Sequence, residues 1–536
     1  MSSSKYVTKS LDHLGLISVL CQELGISKFI DEQLPNQSDH RHISYGQLLV
    51  AMILNGLGFV SRTLHMVPDY FSDKPVERLI GVGIKAEHIN DDALGRLLDK
   101  LYELGVSELY QGLSERVVSH LGLPCDLVHL DSTSFHVDGE YLADIDAKGI
   151  RITKGYSRDH RPDLNQVILN LITENQAGIP VYMQACSGNT NDSESFKLLV
   201  KSHIKSLKAA QRSQYFIGDA ALYVAETIQS LNEQKKFFIS RVPQKLSDAK
   251  ALLKKAGSME FSSLANGYSA AWCDAEYAGV KQKWLLVKSE QASKRENHTL
   301  DKNILKSTQQ SIKTFKKLCQ QTFACETDAT KALTKWEESQ VYVRISEAAI
   351  VKTIVHAKPG RPKTDEVGEN CFKIKGQLCT QLALKHAAEA DKGFFILATN
   401  DCSEKLSMQA MLDHYKSQQS VERGFRFLKS PDFLTASLFL KTPERIEALL
   451  MVMTCCLMIY AALEHVIRRE LVAKEMFFPD MKKKPTQKPT AKWVFWCFIG
   501  VHELNIDAEA KVVINITPRQ RIILDCLGER YWGIYS

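Results

Sequence analysis

The chain has 536 residues, of which thirteen are cysteines, yet it contains no CxxC pair and none of the paired spacings of a zinc site. A cysteine-built metal module is thereby excluded, and a reducing cytoplasm is the simplest setting. The opening stretch MSSSKYVTKSLDHLG lacks the apolar centre of a secretory leader. The longest apolar run, ALLMVMTCCLMIYAAL at 448–463, is bounded by Glu447 and Glu464. It is short for a membrane span and reads as a helix buried in a large protein, with Cys455 and Cys456 acting as small hydrophobes. No membrane partner is expected. No internal repeat is visible. The net charge of +6 is mild for this length and does not by itself demand a polyanionic partner.

What is present is a globular composition, 44% hydrophobic and 24% charged, in a chain too long for one ordinary core. Residues 1–123 show helical spacing throughout, as in YGQLLVAMILNGLGFV and DDALGRLLDKLYELGV. After Leu123-Pro124 the pattern turns to short β-like runs. DLVHLDSTSF is followed by NQVILNLITE and IPVYMQACSG, a hairpin across NQAG. A helix is expected next, capped by Asn191 or Asp192, and then the strand YFIGDA, a helix over about 222–232 and the strand FFISRV. The order β-β-β-α-β-α-β predicts a mixed sheet with helices on its faces, an α/β fold. Residues 124–244 form the first part of this core and 245–390 read as a β-rich insertion, with YSAAWCDAEYAG, KWLLVKS, QVYVRI and a polar helix near 299–320. The core resumes over 391–430 with GFFILATN and a helix. Residues 431–536 return to helices, with a late β-like run at KVVINI.

The helix after GFFILATN reads DHYKSQQSVERGFRFLK at 413–429. At 3.6 residues per turn, Tyr415, Gln418, Arg426 and Lys429 all fall within roughly 40° of Glu422. Val421, Phe425 and Leu428 share one flank and are expected to anchor the helix in a core. The plain reading of the polar line is a solvated face with a Glu422–Arg426 pair. The sharper one is a carboxylate held at the edge of a site for an anion.

Two further acids occupy costly places. Asp131 lies in the middle of the first strand, where a charge needs a partner or a cation; Arg161 would be the structural alternative. Asp219 ends the fourth strand beside Gly218, and capping the next helix is its structural alternative. The first and fourth strands of this order can lie side by side, and the helix can bring Glu422 over them. Three gathered carboxylates require a cation. Mg²⁺ suits them, since it takes a few carboxylates and completes its shell with water and phosphate oxygens. Two such ions about 3.5–4 Å apart clamp an in-line displacement at phosphorus.

The segments HLDSTSFHVDGEY, GYSRDHRPDLNQVILNLI, SGNTNDSESF, YFIGDAALY and HYKSQQSVERGFRFLK resemble the motifs of bacterial insertion-sequence transposases of the DDE type. Within these the chain is most similar to the insertion-sequence-four superfamily, whose catalytic helix carries Y-x2-R-x3-E-x6-K. Tyr415, Glu422 and Lys429 match that signature, and Gln418 stands in place of its arginine. The N-terminal NGLGF and DDALGRLLDKLYE resemble the subgroup named after insertion sequence 1634. The resemblance implies an RNase H-like core interrupted before the glutamate. It implies Asp131, Asp219 and Glu422 as ligands of two Mg²⁺ ions, with Mn²⁺ able to substitute, and Tyr415 and Lys429 as DNA contacts. Arg426 is the better substitute for the missing arginine, because Arg423 lies about 100° from Glu422.

The implied activity is cleavage at the ends of the element and attack of the freed 3′-hydroxyl on target DNA. A silent DNA-binding descendant and a nuclease that cuts without joining are the rivals. The implied partners are double-stranded DNA, as element ends and as target, and a second copy of the chain in a two-fold dimer, in a bacterial cytoplasm at the nucleoid. Weaker DNA signals are Lys482, Lys483 and Lys484 in MKKKPTQKPTAK, Arg361 in the minor-groove-like PGRPK, and Arg161 in DHRPDLNQ beside His160 and Asp163. Asp138 and Glu140 read as turn residues. His129 is expected to be a satisfied core residue on the strand face opposite Asp131. KWVFWCF reads as core more than as a base-stacking surface.

Overall fold

The computed structural model describes residues 6–35, 42–59, 64–137, 141, 149–156, 161–191, 194, 196–197, 199, 213–355, 369–390, 392–429, 440, 442–506 and 510–536.

The first strand, β1 (Tyr6–Ser10), precedes helices at Leu14–Glu23, Ile26–Gln33, Tyr45–Leu57, Asp91–Glu103 and Val106–Leu121. Ser44 opens the third with a capping box: its hydroxyl accepts the Gln47 N–H while the Gln47 side chain takes the Ser44 N–H. The expectation of helices throughout 1–123 is corrected by β1. Five residues of YVTKS carry too little pattern to read as a strand, because the partner strand lies near the opposite end of the chain.

The main sheet begins with β2 (Leu127–Val137), β3 (Asn165–Glu174), β4 (Pro180–Ser187), β5 (Tyr215–Gly218) and β6 (Phe237–Arg241), with the helix Ala225–Glu233 between the last two. Of the helix expected from Asn191 or Asp192, only Glu194, Phe196, Lys197 and Leu199 are described, and these four are helical; Asp192 lies outside the described residues. The segment 245–390 supplies β7 (Ser262–Leu264), β8 (Tyr268–Tyr277) and β9 (Val280–Ser289) to the same sheet. It also holds the helices Glu290–Gln320 and Glu326–Glu338, and two small hairpins. In these, β10 (Val343–Ile345) pairs with β13 (Leu378–Thr380), and β11 (Ala349–Val355) with β12 (Glu369–Lys375). β14 (Phe394–Thr399) then inserts between β6 and β9. The nine strands run β4-β3-β2-β5-β6-β14-β9-β8-β7. Only β2, β5 and β6 are parallel neighbours; the other contacts are antiparallel. The fold is α/β with a large mixed sheet and many helices.

The helix Pro443–Ala473 crosses the centre of the protein. It is the one described helix long and apolar enough to cross a membrane, and 89% of its apolar window is buried against the rest of the chain. Its side chains pack on Tyr45–Leu57, Asp91–Glu103 and Val106–Leu121 and on β4, so burial inside the protein accounts for its composition. A short hairpin, β15 (Phe478–Pro479) with β16 (Pro485–Thr486), is followed by the helix Ala491–Phe498. Then β17 (His502–Ile506) runs antiparallel to β1, and β18 (Ala510–Ile514) runs antiparallel to β17. The pairs Arg78–Glu503 (2.6 Å) and Arg445–Asp99 (2.7 Å) tie the same two regions together. The first and last parts of the chain thus share one hydrophobic core. Among the described residues the cysteines form no disulfide.

Candidate active site

Alternation along β2 puts His129, Asp131, Thr133 and Phe135 on one face. In the parallel pairing of β2 with β5, Leu130 lies opposite Gly218 as the last registered pair. Asp131 and Asp219 follow immediately, so two carboxylates leave neighbouring strands at one level. Asp131 is buried, and its Oδ1 accepts the Ser132 N–H at 2.8 Å. Asp219 Oδ1 accepts the Ala221 N–H at 2.9 Å, and its carbonyl takes the Ser240 hydroxyl. Asp219 therefore shapes a turn and does not cap the helix Ala225–Glu233, which begins at Val224 without a side-chain cap.

The segment 413–429 is not one helix. It forms Met408–Lys416 and Gln419–Leu428, with Ser417 and Gln418 between them. The Ser417 hydroxyl donates to the His414 carbonyl at 2.6 Å, a local bond that competes with helix continuation. Tyr415 is thus on the helix before that of Glu422, and Lys429 is the C-cap. Gln418 is only 9% exposed, and its carbonyl accepts the Val421 and Glu422 N–H groups. Its carbonyl thereby holds the first turn of the Glu422 helix at the junction. Val421, Phe425 and Leu428 are buried as expected, while Glu422 and Arg426 are exposed. Gly424 lets this helix approach the central one; a Cβ there would meet Leu457 Cδ2 at 3.2 Å.

Tyr415 lies within electrostatic reach of all three acids. Burial raises the pKa of this phenol; Arg241 acts to lower it, and Asp219, Glu422 and Asp131 each act to raise it. One hydroxyl therefore senses all three carboxylates. Among the described residues, no three His, Cys, Asp or Glu side chains are gathered closely enough to hold one metal ion between them. Lys429 lies at the far end of the Glu422 helix, its Nζ 5.9 Å from the centre of the Phe135 ring. Phe135 is two strand repeats beyond Asp131 on the same face.

Arg241 was not expected. It ends β6, next to β5, which stops just before Asp219, and its guanidinium lies 5.7 Å from the centre of the Phe395 ring. A cation closing the apolar strand FFISR was the available signal. His129 also differs from expectation, since residues two apart on a strand share a face, and it lies on the side of Asp131. Its Nε2 is 2.8 Å from Asn175 Oδ1 and 3.2 Å from Ser417 Oγ, so it pins the helix junction to the sheet. Burial lowers its pKa to about 4.

The remaining expected residues lie elsewhere. Arg161 pairs with Asp163 at 2.8 Å, and that side-chain bond lowers the Asp163 pKa to about 2. Lys482, Lys483 and Lys484 are exposed on the β15–β16 hairpin, where Asp480 Oδ1 accepts the N–H groups of Lys482 and Lys484. In the helix Ala491–Phe498, Val494, Phe495 and Phe498 are buried, although Trp496 is 60% exposed and stacks on Trp493. Arg361, Asp138, Glu140 and His160 lie outside the described residues.

Residues 6–115 match a domain of unknown function, DUF4277. Residues 130–459, more than half of the chain, match the family described as Transposase DDE domain. This span includes Asp131, Asp219, Tyr415, Glu422 and Lys429. No curated protein matches the sequence. A cryo-EM structure of a piggyBac transposase synaptic complex with hairpin DNA aligns over 92% of this chain and 83% of its own, at 11% identity and a TM-score of 0.37, too low to establish a shared fold. Transposases with this domain generally use divalent metal ions. The chain belongs to the DDE transposase family and is a DDE transposase.

Proposed function

We propose that this transposase cleaves DNA at the ends of a bacterial insertion sequence and joins the freed 3′-hydroxyl to target DNA, using Asp131, Asp219 and Glu422. The observation that carries this reading is the placement of Asp131 and Asp219 directly after the last paired residues of two adjacent parallel strands, with the helix of Glu422 packed against the first of them. The five strands β4-β3-β2-β5-β6 form its RNase H-like core, and 245–390 is the insertion ahead of the glutamate. The assignment to the insertion-sequence-four superfamily, within the 1634-like subgroup, rests on the Tyr415, Glu422 and Lys429 spacing and on the N-terminal motifs.

The donors fit a hard divalent cation. All are carboxylate oxygens, and the two aspartates are oriented by backbone N–H groups. Their open arrangement suits Mg²⁺, which is commonly held by one or two carboxylates together with waters and substrate phosphates. Two Mg²⁺ ions, or Mn²⁺ in their place, would supply activation of the attacking oxygen and stabilisation of the leaving one. The residues of the chain bind and orient. Lys429 and Arg426, at the C-terminal end of the Glu422 helix, meet phosphates of the element end. Tyr415 and Arg241 fix the strand beside the carboxylates. Lys482, Lys483 and Lys484 track the backbone farther out. Residues 1–123 bind the ends and pair two protomers, and 431–536 support them.

The test is product analysis with Mg²⁺ and a duplex taken from the DNA flanking the reading frame. Strand-transfer products are expected alongside cleavage. Cleavage without any joined product would reduce the activity to that of a nuclease.

A further inference from the structure

A cavity of about 450 Å³ opens behind the Glu422 helix. It is bounded by Arg423 on that helix, by Tyr460 and Arg468 on the central helix, by the β3–β4 turn at Asn175 and Gln176, and by Thr490. We propose that this cavity holds a backbone phosphate of the bound DNA, gripped by Arg423 and Arg468 beside the Tyr460 hydroxyl, and passes the strand to the Lys482–Lys488 hairpin. The inference rests on the transposase reading and adds a contact that the sequence signature does not contain.

Charge makes the case first. Glu464 is the acid of the cavity, and it is already engaged: one oxygen pairs with Arg468 and the other accepts the Ala491 N–H. Arg468 also donates to the Pro489 carbonyl at 2.9 Å, which fixes its guanidinium at the wall. Among the described residues Arg423 makes no ion pair, so one positive charge is left over. Lys416 borders the cavity too, but its ammonium lies over the Tyr268 ring at 4.4 Å and is aimed elsewhere.

Hydrogen bonding points the same way. Tyr460 Oη accepts the Lys492 N–H, and its own proton remains to be donated. Burial and Glu464 push this phenol up to about 12, while Arg468 and Arg423 both act to lower it. The phenol therefore stays protonated, with two guanidiniums around it. Two forked cations and a hydroxyl donor match the acceptor geometry of a phosphodiester.

Continuity selects DNA over a free anion. Arg423 directly follows Glu422, so one edge of the cavity is the helix of the candidate site. Thr490 is at the other edge, and the chain before it, Pro489 and Lys488, leads back to the hairpin that carries Lys482, Lys483 and Lys484. The Trp493 indole N–H bonds to the Pro479 carbonyl and locks that hairpin to the next helix. A strand leaving the carboxylates thus meets cations in sequence.

The experiment measures binding of an element-end duplex without divalent ions, across a range of salt concentrations, with melting curves to check folding. R423Q is expected to weaken binding roughly tenfold and to reduce the logarithmic salt slope by about one. Y460F is expected to weaken binding severalfold with the slope unchanged, and K483Q to reduce the slope independently. An R423Q slope equal to that of the wild type, with K483Q reduced, overturns the cavity contact and leaves the transposase reading standing. Absence of salt-dependent duplex binding by the wild type overturns that reading instead. If inorganic phosphate stabilises the wild type but not R423Q while the duplex slope is unaltered, the cavity takes a free anion and the proposal fails. A Y460F protein with wild-type affinity overturns it even if R423Q misfolds.

Discussion

Asp131 and Asp219 stand on adjacent parallel strands, each immediately following the last paired residues, Leu130 and Gly218. Neighbouring strands are about 4.8 Å apart, so these two charges repel across a short gap unless a cation lies between or beside them. Asp131→Ala, Asp219→Ala and Glu422→Ala are each expected to abolish cleavage and strand transfer while leaving end binding largely intact. Gel assays of cleavage and joining, run beside binding measurements, decide it. Full strand transfer by any one variant removes that residue from the site.

The same repulsion predicts a stability signature. Mg²⁺ binding to the native state alone stabilises it by about 2.7 kcal/mol when the ion is at a hundred times its dissociation constant. The wild type is expected to melt higher in Mg²⁺ than in chelator. Asp131→Asn is expected to lose that difference and, in chelator, to melt no lower than the wild type, because one of the crowded charges has gone. Equal Mg²⁺ responses in the two proteins would place the ion elsewhere.

Lys429→Ala removes a phosphate contact and leaves the carboxylates in place. Its catalytic loss is expected to be smaller than that of any acid variant, with a salt slope shallower by about one counterion. Wild-type activity together with an unchanged slope would reduce Lys429 to a surface lysine.

Two buried groups give opposite pH dependences. His129 takes up its proton near 6.5 in the unfolded chain and only at about 4 in the native one. The unfolded state therefore binds more protons in that window, and up to roughly 3 kcal/mol of stability is lost as pH falls from 6.5 to 4. His129→Gln should flatten that slope in pH-dependent denaturation. Glu447 is raised to about 7, by burial and then by Glu108 and Glu444. The native state keeps this proton longer, so stability falls as pH rises from 4.5 to 7. Glu447→Gln should be more stable than the wild type above pH 7, on the order of 1–2 kcal/mol after allowance for partial exposure.

Assembly gives the last test. An element has two ends, whereas one set of Asp131, Asp219 and Glu422 serves one end at a time. Two protomers and two DNA ends are expected in one particle by solution sizing. One protomer per end, never two ends together under conditions of strand transfer, would defeat the dimer.

Much of the sheet was legible because its signals are local. HLDST, YFIGDA and FFISRV each carry an apolar run with a polar residue out of place, and alternation assigns their strands. The neighbourhood of β5 and β6 follows from one short helical crossover, and the order β-β-β-α-β allows β2 to lie beside β5. What was hidden depends on distant partners or on small competing bonds. The strands β8 and β9 look like part of a separate insertion, yet β14 recruits them into the main sheet. The junction at Ser417 cannot be read from a helical wheel, because it turns on one hydroxyl bonding back to His414 and on His129 arriving from β2. The wheel still found the buried flank of Val421, Phe425 and Leu428, since each short helix keeps its own period. Arg241 escaped and Arg423 was set aside for one reason. A lone arginine at the end of a strand or on the flank of a helix acquires meaning only from what the fold sets beside it.

The pairing of β1 with β17 sets a schedule for the newborn chain. Nearly every residue is made between the two strands, and at ordinary rates of synthesis that interval is on the order of a minute. Throughout it Tyr6–Ser10 presents an edge without this partner. A chain truncated before His502 is expected to keep the DDE core and to leave its first strand without this neighbour. Closure of this sheet therefore waits for residues 502–506, and β1 finds its neighbour only after the central helix has been made.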